Sequence, residues 1–302
     1  MRTNPDEGFY YLCCTTAESN NSKGMRRIFI ISWLIWLVCG WSEAQVLPMA
    51  NEEIYNPDSV RAILDKQPYF SLFKDNYFVG GVPIGEKINS RNSDVKFQIS
   101  ISQRLTKSKL PFDSYLFLQY TQKAFWNVFQ KSLPMRDLNF NPGIGLGHLI
   151  IRKNKYIGKA YLMIEHESNG KDSIDSRSWN KLTLGAAVLL NKNWEVQLKG
   201  WIPVIDGKEN DDILKYNGIF QVAANYRTDN KRLNVGVILT KRLTWLSFNT
   251  QLELSYKFNN NENQYLFVQY YNGYGENLLE YNQFRSILRV GFVIKPQDFS
   301  LY

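Results

Sequence analysis

Polar and apolar side chains alternate along much of the chain's second half. From Phe248 to Phe258, the residues Phe248, Leu252, Leu254, Tyr256 and Phe258 take one side, and Asn249, Gln251, Glu253, Ser255 and Lys257 take the other. A period of two is that of a β-strand, whose successive side chains point to opposite faces. An ordinary soluble core would reject the second set. A wall in a membrane accepts both, with the apolar set against lipid and the polar set in a lumen. The split recurs with Val95, Phe97, Ile99 and Ile101 against Lys96, Gln98, Ser100 and Ser102, and with Leu288, Val290, Phe292 and Ile294 against Arg285 and Arg289.

Segments of about ten residues, separated by Asn, Gly, Asp and Lys clusters, follow one another as in a barrel meander. They are expected near 77–83, 95–105, 115–122, 143–152, 159–168, 180–190, 194–202, 218–226, 232–240, 248–258, 264–271 and 285–295. The reading is all-β: an antiparallel transmembrane β-barrel of about twelve strands, an even number as bacterial barrels prefer. A soluble barrel would place its apolar residues inside, which inverts the pattern. From Gln45 onward no apolar run is long enough for a helical span.

The N-terminal part differs. Met25-Arg-Arg27 forms a basic start to the apolar run Ile28 to Trp41, which is too short to span and ends at Ser42-Glu-Ala44. That is a signal-peptide layout, with cleavage expected between Ala44 and Gln45 and Met25 expected as the true start. The expected organisation is a signal region at 1–44, a polar lead-in at 45–76 with a short helix at Ser59 to Lys66, and a barrel at 77–302. Removal of 1–44 takes away all three cysteines, leaving a chain without disulfides. The formal net charge of +8 survives it, because Arg2, Lys23, Arg26 and Arg27 are balanced by Asp6, Glu7, Glu18 and Glu43. A basic surface suits anionic lipid head groups, whereas the clustered arginines and stacking aromatics of a nucleic-acid site are absent.

Chemistry concentrates between His166 and Asn180. On a strand, His166 and Ser168 share a face with Cα atoms roughly 6.6 Å apart, so an imidazole can reach the hydroxyl. The Gly-, Asp- and Ser-rich run 169–178 reverses the chain, and Asn180 on the next strand can hold the imidazole by its other nitrogen. This is the form of a Ser-His-Asn triad. Residues of the same parity are Leu162, Ile164, Leu182, Leu184, Ala186 and Val188, so the catalytic face is also the oily face. A lipid-facing site implies a lipid substrate. His148 has no partner nearby in sequence and reads as structural, and Gly143, Gly145 and Gly147 precede no helix, which argues against phosphate cradling.

The run His166-Glu-Ser-Asn-Gly170, followed by Ser176-Arg-Ser-Trp-Asn180, resembles the outer-membrane phospholipase A family. Tyr120 to Trp126, Pro134 to Pro142 and Tyr274 to Asn282 support the likeness in the same order. The resemblance implies a calcium-dependent phospholipase A1/A2 in the outer membrane of a Gram-negative bacterium, acting on acyl esters of phospholipids and lysophospholipids and activated as a homodimer. It assigns His166, Ser168 and Asn180 as catalytic, the Gly170 N–H to the oxyanion, and Gln122 to the dimer interface. Calcium is expected on the Ser176 hydroxyl, the Lys171 carbonyl and the Ser132 carbonyl of a second subunit. A further acidic calcium site would need an aspartate where Ser173 stands, with Glu209 nearby. The rival reading is a non-catalytic barrel, a pore or surface-interaction protein on the same scaffold. The aromatic Tyr302 resembles the last residue by which such barrels are recognised for assembly.

Overall fold

The computed structural model describes residues 57–204, 208–259, 263–296, 299 and 301–302. The expected signal region, the Met25 start and the cleavage after Ala44 lie outside them. Helix α1 (Pro57–Leu64) opens the described chain, slightly ahead of its expected place. It ends where Asp65 turns its carboxylate to another element, accepting hydrogen bonds from Arg104, from the Ser108 N–H and from the Ser108 hydroxyl.

Strands β1 (Phe70–Leu72) and β2 (Asn76–Pro83) lie in succession along β3 (Asp94–Arg104), with Phe70 opposite Gln103 and Tyr77 opposite Gln98. Then come β4 (Ser114–Trp126), β5 (Met135–Arg152), β6 (Lys155–Ser168), β7 (Ser178–Leu189) and β8 (Trp194–Val204). The circuit continues through β9 (Phe220–Arg227), β10 (Leu233–Lys241), β11 (Phe248–Lys257), β12 (Gln264–Gly273) and β13 (Arg285–Ile294). Each pairs antiparallel with its predecessor, and β13 pairs with β2, Phe292 opposite Phe78. Strands β2 to β13 therefore form a closed twelve-strand antiparallel barrel without a free edge.

The alternation reads directly onto the wall. Phe78, Ile99, Leu118, Ile164, Leu184, Leu254 and Phe292 are exposed on the outside, and Lys96, Gln119, Glu165, Thr183, Glu253, Gln269 and Arg289 are buried inside. The largest departure from the sequence expectation is β5. It starts at Met135, ahead of the expected 143–152, and so takes in Arg136, Asp137 and Pro142. In the barrel Pro142 lies within the strand with its ring outward.

Burying charge is costly unless each charge is paired. Near the end that carries the longer connections, Arg289 bonds to Asp94 at 3.0 Å and to Glu276 at 2.5 Å. Lys96 bonds to Glu276 at 3.1 Å, and Arg136 bonds to Asp94 at 2.6 Å. Burial alone would raise the Glu276 carboxyl, but Arg289 and Lys96 outweigh it and hold it down to about 2. Towards the other end Phe73, Phe117, Tyr161, Met163, Phe299 and Leu301 form an apolar cluster inside the lumen. The tail beyond β13 thus folds inward, and the Tyr302 hydroxyl donates to Asn225 at 2.7 Å. Tyr302 faces the lumen because the last strand stops at Ile294 and leaves the tail free to enter. A polar cavity of about 190 Å³ lies inside the barrel, lined in part by Lys123, Glu165, Glu253 and Tyr302.

Candidate active site

The site stands at the top of the β6–β7 hairpin. The register puts His166 opposite Asn180 and Ser168 opposite Ser178. His166 Nδ1 donates to Asn180 Oδ1 at 2.9 Å. An amide oxygen can only accept, so this bond selects the tautomer with the proton on Nδ1 and leaves the Nε2 lone pair free. Ser168 lies two residues on, on the same outward face, and among the described residues its hydroxyl makes no hydrogen bond. Histidine and asparagine are joined, and the serine stands beside them. Below them on that face, Ile164 is 64% and Leu184 63% exposed, which continues the site into the lipid-facing wall.

The lumen side of the same two strands sets their register. Glu167 accepts from Trp179 Nε1 at 3.1 Å and from Lys181 Nζ at 2.7 Å, and Thr183 donates to Glu165 at 2.5 Å. These residues alternate with the outward ones. An imidazole and an amide are thereby aligned outside by ion pairs inside.

The connecting loop is organised by Asn169, a buried member of the His166–Gly170 run to which the sequence alone gives no role. Its Oδ1 accepts from the Arg177 N–H at 2.9 Å and the Lys171 N–H at 3.3 Å, and its Nδ2 donates to the Asp175 carbonyl at 2.8 Å. One amide therefore gathers the start and the end of the loop. Gly170 adopts φ +63°, a left-handed conformation that favours glycine. A Cβ there would also come within 3.0 Å of the Phe140 ring. The Gly170 N–H has no partner among the described residues.

Among the described residues no group of three or more His, Cys, Asp or Glu side chains could hold a metal. The expected set is of another kind, a hydroxyl and main-chain carbonyls. The Asn169 clamp holds Lys171 and the two neighbours of Ser176, Asp175 and Arg177, and neither the Lys171 carbonyl nor the Ser176 hydroxyl is taken by a hydrogen bond among the described residues. Hard, unbonded oxygens held by a short rigid loop fit a calcium ion. Ser132 lies in the exposed β4–β5 connection at φ +69°, and among the described residues no hydrogen bond joins it to Lys171 or Ser176. Ser173 and Glu209 are both exposed, and among the described residues no hydrogen bond joins them.

Gln122 faces outward on β4, opposite Ile99 and Phe140, and its Oε1 accepts from the Tyr120 hydroxyl at 3.1 Å. Its amide nitrogen has no partner among the described residues, an unusual state for a group on an apolar wall. His148 donates from Nδ1 to the Phe112 carbonyl at 2.8 Å, as a structural histidine does. Asn210, fully buried, was not legible in the sequence. It accepts from the Ser178 N–H at 3.1 Å and donates to the Ser178 carbonyl at 2.9 Å, pinning the start of β7.

A family model described as Phospholipase A1 matches residues 82–294. Phospholipase A1 of Escherichia coli (strain K12) is 32% identical over 213 residues, covering 68% of this chain and 71% of that protein. Phospholipase A1 of Klebsiella pneumoniae is 31% identical over 212 residues, covering 68% and 72%. Among solved structures, outer membrane phospholipase A from Escherichia coli superposes with a TM-score of 0.67 at 27% identity, over 75% of this chain and 98% of that one. The Salmonella typhi outer membrane phospholipase, a dimer with bound calcium, gives 0.68 at 26% identity, over 80% and 100%.

Proposed function

The chain belongs to the phospholipase A1 family and is a phospholipase of the outer membrane, and on that premise we propose that it hydrolyses acyl esters of membrane phospholipids through Ser168, His166 and Asn180. The observation that carries this reading is the 2.9 Å bond from His166 to Asn180 on the outward wall, with Ser168 on the same face. His166 Nε2 takes the proton from Ser168 as the hydroxyl oxygen attacks the acyl carbonyl. The tetrahedral intermediate collapses by breaking the ester bond, and the departing glycerol oxygen recovers the proton from His166. Water, deprotonated by the same nitrogen, then attacks the acyl-serine, releasing the fatty acid and restoring the Ser168 hydroxyl.

Asn180 keeps the imidazole in the tautomer that can accept a proton. The unpartnered Gly170 N–H is the protein's donor to the oxyanion. Lys171 through its carbonyl, Ser176 through its hydroxyl and Ser132 of the partner subunit through its carbonyl would hold calcium, which when bound adds positive charge at the oxyanion. Two copies of the chain meet in the active form, and the Gln122 amide nitrogen finds there a partner that the described residues of one copy do not give it. Residues 1–44 are removed on export, and 45–76 lead into the barrel at 77–302.

The test is phospholipid hydrolysis in detergent micelles by the refolded chain, with calcium or with chelator, beside Ser168→Ala. Hydrolysis that needs both calcium and Ser168 is the expected result. Full activity of folded Ser168→Ala would overturn the assignment.

A further inference from the structure

The β5–β6 register runs from Phe140 opposite Ser168 to Gly143 opposite Glu165 with no shift between them, which places Pro142 opposite His166. Pairing lapses there, and a cause is that proline has no N–H to give to a neighbouring strand. The direction of the main chain makes the loss specific. Gln119 on β4 donates to the Asn141 carbonyl at 3.0 Å, so the main chain of Asn141 turns towards β4. That of Pro142, the next residue, turns towards β6. The His166 carbonyl therefore faces a residue that cannot donate to it.

The vacant position is filled from a side chain. Asn141 Nδ2 donates to the His166 carbonyl at 2.8 Å. Asn141 is buried on the lumen side, and its support continues across the barrel wall. Thr121 donates to Gln119 Oε1 at 3.1 Å, and the Ser100 and Thr121 hydroxyls lie 2.7 Å apart. We propose that Asn141 is a positioning residue: its amide supplies the strand donor that Pro142 lacks, and so fixes the main chain from which the imidazole of His166 is aimed.

His166 is then tethered on both sides, by its ring to Asn180 on β7 and by its carbonyl to Asn141 on β5. Without the second tether, β6 is free to move where the ladder is already broken. A general base tolerates little displacement from its proton donor. The inference rests on the reading of His166 as that base.

The test compares Asn141→Ala, Pro142→Ala and the double variant as refolded full-length chains, each checked for the heat-modifiable mobility of a folded barrel. Substrate is a diacyl phospholipid in detergent micelles with calcium. Asn141→Ala is expected to lower kcat about tenfold, the scale of one lost hydrogen bond, with KM within about twofold. In the Pro142→Ala background, where an alanine N–H can donate to His166, the same substitution costs about twofold or less. Wild-type kcat in Asn141→Ala, or an equal cost in both backgrounds, overturns the proposal. If Pro142→Ala does not fold, labelling of Ser168 by a fluorophosphonate decides: about tenfold slower in folded Asn141→Ala supports it, an unchanged rate overturns it. Ser168→Ala separates the two layers of argument. Full activity there removes the general base itself, whereas a dead Ser168→Ala beside a wild-type Asn141→Ala removes only the role of Asn141.

Discussion

Asn180 meets His166 across a single rung of the β6–β7 ladder, with its side-chain oxygen 2.9 Å from Nδ1. In the proposed mechanism this neutral amide orients the ring and supplies no charge to the imidazolium. Asn180→Ala is therefore expected to lower kcat by about tenfold to a hundredfold, less than the loss in Ser168→Ala. Initial rates on the folded variants check this, and a wild-type rate in Asn180→Ala would remove its orienting role.

Ser176 is the loop's side-chain oxygen nearest in sequence to β7, and its hydroxyl is unbonded among the described residues. Ser176→Ala should raise the calcium concentration for half-maximal hydrolysis about tenfold or more. Ser173→Ala, three residues earlier, should leave it in place. Calcium titrations of hydrolysis distinguish them, and equal midpoints would discard the ligand assignment.

Among the described residues the Gln122 amide nitrogen on the outward wall has no partner. Gln122→Leu should weaken self-association in detergent about fivefold, the scale of one hydrogen bond between membrane segments. Sedimentation equilibrium gives the association constant directly. Activity lost at low protein-to-detergent ratio should return at high ratio; association as tight as in the wild type would place the contact elsewhere.

Glu276 links acidity to the stability of the barrel mouth. Burial opposes its charge, but Arg289 and Lys96 depress its carboxyl from the usual 4.5 to about 2. A depressed carboxyl stabilises the folded state fully above 4.5, and that contribution is lost as pH falls from 4.5 through about 2. The thermal midpoint of the heat-modifiable band should fall across that window. Glu276→Gln should be less stable at neutral pH and should lose that part of the pH dependence; an identical profile would refute the linkage.

The described interior is also crowded. Phe73, Phe117, Tyr161, Phe299 and Leu301 pack together at one end, while Asp94 and Lys96 of β3 and Arg289 of β13, with Glu276 bonded to Lys96 and Arg289, line the inner face towards the other. Refolded protein in a planar bilayer should show no stable open channel. Steady conductance steps would favour the pore reading and count against the packed lumen.

What was legible in the sequence depended on local spacing. His166, Ser168 and Asn180 share parity with Leu162, Ile164, Leu182 and Leu184, and a period of two needs only neighbouring residues to be read. The start of β5 at Met135 escaped it, because Pro142 gives no N–H to a ladder and whether a strand tolerates that depends on the strands beside it. Distance in sequence hid the remainder. Lys96 and Glu276 are 180 residues apart and Asn210 is 32 from Ser178, so no window contains either pair. The inward turn of Tyr302 likewise follows from where β13 stops, and alternation alone does not set that point.

On the proposed reading, reacting groups mounted on the outer wall make the bilayer the reaction medium. Substrate arrives by sliding in two dimensions, and both products can leave the same way without first entering water. Velocity then follows the mole fraction of cleavable lipid around the barrel and is indifferent to the amount of lipid in the tube. Dilution with an inert amphiphile slows the enzyme, whereas adding more membrane of the same composition does not.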